Sequence, residues 1–125
     1  MEQPTPKLKV LIADDEKIIA DTLAMILNQG GFDARAVYTC KNALELASDF
    51  RPDMLISDVI MAELNGVDAA IQIRAILPDV RVFLLSGQGA TAELIEKAQI
   101  DGREFEILTK PLHPRDLLAR LRSIA

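Results

Sequence analysis

Five polar residues of this 125-residue chain stand at the ends of short apolar runs. Asp14 and Asp15 close KLKVLIADD, Asp58 closes PDMLISD, Ser86 follows VRVFLL, and Lys110 follows FEILT. Brought together, they would set three carboxylates beside one hydroxyl and one ammonium. Two like charges about 4 Å apart repel by roughly 4 kcal/mol at an effective dielectric near 20, so such a cluster calls for a cation. Oxygen donors without histidine or thiolate select a hard ion, Mg²⁺ or alternatively Mn²⁺. With the metal between Asp15 and Asp58, one Asp58 oxygen stays free to attack phosphorus and form an aspartyl phosphate. Lys110 can pair with the phosphoryl oxygens, Ser86 can donate a hydrogen bond to one, and Gly87 permits close backbone approach there.

Each residue also has an ordinary role: Asp14 or Asp15 as a helix N-cap, Asp58 in a turn, Ser86 as a loop hydroxyl, Lys110 as a solvated charge. Their joint placement points to a site. In an open parallel sheet, ligands bind just outside the carboxyl ends of the strands, where residues distant in sequence converge.

The positioning elements are legible as alternating periods. Lys7–Asp15, Pro52–Asp58, Val80–Gly87 and Phe105–Pro111 read as buried parallel strands, and FDARAVY as a strand at or near the sheet edge. Between them lie helical patterns. Ile18, Ile19, Leu23, Ile26 and Leu27 make the first apolar stripe, stopped by Gly30-Gly31. Ala43, Leu44, Leu46 and Ala47 mark the second helix, ended at Arg51-Pro52, and Val67, Ala70, Ile71 and Ile76 the third, stopped by Pro78. A fourth starts from Thr91 as N-cap, and Asp101-Gly102 turns the chain back. The last opens at Pro114 and presents Leu117, Leu118, Leu121 and Ile124, with Arg120 and Arg122 near its negative dipole end. Five strands alternating with five helices predict a doubly wound α/β fold, a (βα)5 flavodoxin-like sandwich with a parallel sheet in the order 2-1-3-4-5. That order makes strands 1 and 3 neighbours and brings Asp14 and Asp15 beside Asp58.

Composition bounds the rest. With 50% hydrophobic and 26% charged residues, the expectation is one domain over residues 1–125, with 1–6 a flexible N-terminal segment. No apolar stretch approaches the about 18 residues of a membrane span, and the start MEQPTPKLKV lacks a signal-peptide core, so a cytoplasmic location without membrane contact is expected. A net charge of -5 argues against direct binding of nucleic acid. The single Cys40 cannot form an internal disulfide, and no histidine partner marks it as reactive.

These residues resemble the receiver domain of bacterial two-component response regulators (CheY-like), a resemblance running from about Lys9 to the end of the chain. It implies that Asp14 and Asp15 bind Mg²⁺, and that Asp58 accepts a phosphoryl group from a histidine kinase or histidine phosphotransfer protein. It further implies that Ser86 and Lys110-Pro111 complete the site, with a cis bond before Pro111, and that the Ile60 carbonyl is a metal ligand. No output segment is expected after the fifth helix, and the expected function is a stand-alone phosphoacceptor signalling through protein contacts. The face of helix 4, strand 5 and helix 5 is the expected surface for an effector or a homodimer, with Glu93, Glu96, Arg115 and Arg122 as its polar elements.

The chain departs from the family pattern at several points. Ala62 stands where a proline is usual in the loop after the acceptor. Ile107 stands where an aromatic switch is often found, with Phe105 on the same side of the strand, and DGREFEILTK is a residue longer than usual. Ile60 and Gln88 occupy positions that tune phosphate loss, and the apolar Ile60 points to a long-lived phosphoryl group. Two other readings compete: a small Mg²⁺-dependent phosphatase with an aspartate nucleophile, which would carry a second aspartate where Ile60 stands, and a binding module that takes no phosphate. The lone His113, preceding Pro114, reads as a solvated loop residue rather than a phosphohistidine. The protein is thus not expected to be an enzyme beyond its own phosphorylation and dephosphorylation.

Overall fold

Runs of Val, Ile, Leu and Phe that are apolar at every position can be buried on both sides only within a sheet covered by helices on both faces. That is what forms. The structure, a computed structural model, describes residues 7–61, 65–87, 92–99 and 105–124. In chain order they make β1 (Lys9–Ala13), α1 (Lys17–Gln29), β2 (Asp33–Val37), α2 (Cys40–Phe50), β3 (Met54–Asp58), α3 (Gly66–Ile76), β4 (Arg81–Ser86), α4 (Ala92–Gln99), β5 (Glu106–Thr109) and α5 (Pro114–Ile124). All strand pairs are parallel, in the order β2-β1-β3-β4-β5, and FDARAVY supplies the edge strand β2.

Alternation along the strands divides the core. Leu11, Leu55, Val82 and Leu84 face the layer of α2, α3 and Leu94 of α4. Val10, Ile12, Ile56, Phe83 and Leu85 face α1 and α5. Pairing Ala13 with Ser57 and Asp58 with Leu85 aligns the carboxyl ends of β1, β3 and β4, so the polar residues that follow emerge at one end of the sheet.

Helix boundaries follow local chemistry. The Thr39 hydroxyl accepts the Asn42 N–H at 3.0 Å and the Asn65 side chain accepts the Asp68 N–H at 2.8 Å, each an N-cap. Arg51 closes α2 in the left-handed region at φ 52°, directly before Pro52. After α1, Gly31 takes φ 101°, which a side chain would resist.

Two expected core residues are not in the core. Ile18 is 83% exposed. The buried stripe of α1 is Ala20, Leu23, Ala24 and Leu27, and Ile18 lies about 200° around the helix from Ala20. Ile76, 45% exposed, ends α3 at the margin of a stripe made by Val67, Ala69, Ala70 and Ile73. Arg120 grips Glu106 of β5, and Arg122 donates to the Gly30 carbonyl at the end of α1. Arg122 therefore turns toward α1 rather than serving the face of α4, β5 and α5. Among the described residues no helix is long and apolar enough to cross a membrane. The Thr91 cap, the Asp101-Gly102 turn, Ala62, Gln88 and segment 1–6 lie outside the described residues.

Candidate functional site

Asp14, Asp15 and Asp58 come together as the register requires: one carboxylate oxygen from each lies within 4.8 Å of the others. Asp14 is fully buried, Asp58 nearly so, and Asp15 exposed. Neither Asp14 nor Asp15 is the N-cap of α1; Glu16 holds that position, and Asp14 Oδ1 instead accepts the Glu16 N–H at 3.0 Å. This bond turns the chain into α1 while leaving Asp14 Oδ2 toward the site.

Lys110 crosses from the end of β5 to meet them. Its Nζ lies 3.0 Å from Asp58 Oδ2 and 3.4 Å from Asp14 Oδ2. The Ser86 carbonyl accepts the Lys110 N–H at 2.8 Å, and the Lys110–Pro111 bond is cis. A Cβ on Gly87 would approach the Lys110 side chain at 3.2 Å. The freedom of Gly87 thus first serves the path of the lysine stem.

The electrostatics follow from burial. Desolvation pushes the Asp58 carboxyl above its ordinary value; Lys110 opposes that rise, Asp14 adds to it, and the Ile60 backbone opposes it. Desolvation works against the Lys110 ammonium, but Asp58 and Asp14 outweigh it and raise its pKa, so Lys110 stays charged. Lys110 thus pairs with two members of a three-carboxylate cluster whose oxygen donors are compatible with a hard divalent ion.

Two supports of the site were not read from the sequence. The Ser57 hydroxyl, buried, donates to the Asp58 carbonyl at 3.2 Å. Gly66 donates its N–H to the Val59 carbonyl at 2.7 Å, and a Cβ there would lie 1.8 Å from the Asp58 carbonyl oxygen. The Asn65-Gly66 pair was the available signal: Asn is a favoured N-cap, and glycine suits a place where another backbone approaches closely. Behind the loop, Cys40 Sγ, the first residue of α2, meets Met61 Sδ at 3.6 Å. Phe105 is buried to 5% exposure and shares a cluster with Ile107, so the two do lie on one side of the strand. Ile60 presents its side chain outward, 39% exposed. His113, exposed, accepts the Arg115 N–H at its Nδ1 at 3.1 Å at the start of α5.

Comparison with known proteins agrees with this geometry. The family described as response regulator receiver domain matches residues 10–122. Response regulator MprA of Mycobacterium ulcerans is 28% identical over 94% of this chain and 50% of its own length. The chain spans about half the length of the curated relatives it matches. Among solved structures, the Francisella response regulator 1452 receiver domain is 29% identical, with a TM-score of 0.79, covering 94% of this chain and 96% of that one. A CheY-like receiver domain protein from Methanospirillum hungatei shares the fold at a TM-score of 0.87 and 21% identity, over 95% of this chain and 94% of the other. With the match spanning nearly every described residue and the acidic cluster lying inside it, the chain belongs to the response regulator receiver domain family.

Proposed function

We propose that Asp58 accepts a phosphoryl group from the phosphohistidine of a histidine kinase or histidine phosphotransfer protein, and that the protein signals through the contacts this modification alters. The observation that carries the reading is the Lys110 ammonium 3.0 Å from the Asp58 carboxylate, inside a cluster with two further aspartates. An Asp58 oxygen attacks phosphorus, forming an O–P bond as the P–N bond breaks. The electron pair leaves with the imidazole, which takes a proton. Lys110 then balances the phosphoryl oxygens at no cost of recruitment, because Asp58 and Asp14 already hold it charged in place. Ser86, at the end of β4, is the hydroxyl donor of this reading.

Asp14, Asp15 and Asp58, with the Ile60 carbonyl, are the residues that would hold Mg²⁺. Bound there, the ion supplies neutralisation of the phosphoryl oxygens during transfer. Effector contact through α4, β5 and α5 remains part of the proposal, with exposed Glu93, Glu96 and Arg115 as its polar elements. The exposed, apolar Ile60 offers no group to activate water beside Asp58, which favours a persistent phosphoryl group over phosphatase turnover. Incubation with phosphoramidate and Mg²⁺ should add one phosphoryl group by intact mass, and Asp58→Asn should prevent it. Failure with small donors and with the cognate kinase alike would sink the reading, and loss of the group within seconds would remove the claim of persistence.

A further inference from the structure

We propose that Arg74 and Arg81 form a second site, for an oxyanion, at the opposite end of the sheet from Asp58. Arg81 opens β4 and Glu106 opens β5, whereas Asp58 closes β3. Between them and the end of α3 lies a polar cleft of about 570 Å³, lined by Arg74, Asp79, Arg81, Phe83 and Glu106 among others.

Arg74 is the telling residue. Its Nε is shut away from solvent and has no hydrogen-bond partner among the described residues, and its guanidinium stands 5.2 Å from the centre of the buried Phe105 ring. Contact with a ring holds the guanidinium but leaves the Nε–H unsatisfied, and an unmet buried donor is costly. The nearby carboxylates do not answer it. Arg120 occupies both oxygens of Glu106 from the α5 side. Asp79 is exposed and forms no hydrogen bond or ion pair with either arginine among the described residues. A guanidinium fork fixed by an aromatic face, with a second arginine across a polar cleft, fits the paired oxygens of a carboxylate or phosphate. With a net charge of -5, the chain does not gather anions generally, so retention there would have to be local.

The shared chemistry is the oxyanion, and its source is either a free ion or an acidic side chain on a partner. The test monitors the Arg74 Nε–Hε resonance by NMR in Asp58→Asn protein without divalent ions. Events at the acceptor then cannot contribute, and the outcome is independent of the proposed phosphorylation. Inorganic phosphate and a blocked oligoglutamate peptide are titrated separately. A saturable shift with phosphate supports the site and a free-ion source, whereas saturation with the peptide alone supports the site and a protein source. Arg81→Gln, at an exposed position that should not disturb folding, and Arg74→Lys, which keeps charge but loses the fork, should each weaken binding by about tenfold. Shifts that stay linear with both probes, or binding unchanged in both variants, would overturn the proposal.

Discussion

The Asp58 carbonyl and Gly66 are so close that a methyl group on Gly66 would sit 1.8 Å from the carbonyl oxygen. That contact is backbone on backbone, so no rotamer change relieves it. Gly66→Ala should therefore destabilise the fold by about 2–3 kcal/mol, seen as a lower urea midpoint, and should slow Asp58 phosphorylation even where the protein remains folded. An unchanged midpoint would mean that the start of α3 can shift freely.

Divalent metal should stabilise the folded protein before any phosphoryl group is attached. At about 100 times its dissociation constant, Mg²⁺ should add about 2.7 kcal/mol, raising Tm in calorimetry without any phosphodonor. Asp15→Asn, an exposed change that leaves packing intact, should abolish most of that rise. Equal metal-dependent shifts in wild type and variant would exclude Asp15 as a ligand.

The ion pair between β5 and α5 should show in an acid titration. Hydrogen bonding to Arg120 holds the Glu106 carboxyl below its ordinary 4.5. A depressed carboxylate stabilises the fold above its unfolded value and loses that contribution as pH falls through the folded one. Glu106→Gln should thus lower Tm at neutral pH, with the difference from wild type closing below 4.5. A difference constant across that range would show that the pair contributes packing rather than charge.

Two residues of α1 should separate surface from core. Ile18→Ser should change stability by less than about 0.5 kcal/mol, while Leu23→Ala should cost about 2–5 kcal/mol by chemical denaturation. Comparable losses would place Ile18 against a neighbour in solution.

The strands were readable because both faces are buried: at every position of Met54–Asp58 the environment demands the same thing, and no period is needed. The site was readable because each chemical residue ends its own strand, which makes convergence a property of topology rather than of side-chain detail. Ile18 and Ile76 misled because hydrophobicity alone does not say which side of a helix the sheet covers; Ala20 and Ala24, small and easily overlooked, mark the true contact face. Gly66 and Ser57 were missed because they act on backbone, through a missing Cβ and a hydroxyl aimed at a neighbouring carbonyl. Arg122 reads as a dipole partner of its own helix, yet its hydrogen bond goes to the Gly30 carbonyl, 92 residues away.

β3 runs between β1 and β4 with all five of its residues buried, and Asp58 is its last. A strand clamped on both edges and both faces is among the slowest parts of a domain to open. It cannot yield when something is attached at its tip. If Asp58 takes the proposed phosphoryl group, the strand beneath it would act as an anvil: stationary itself, and for that reason able to pass the change to the surface around it.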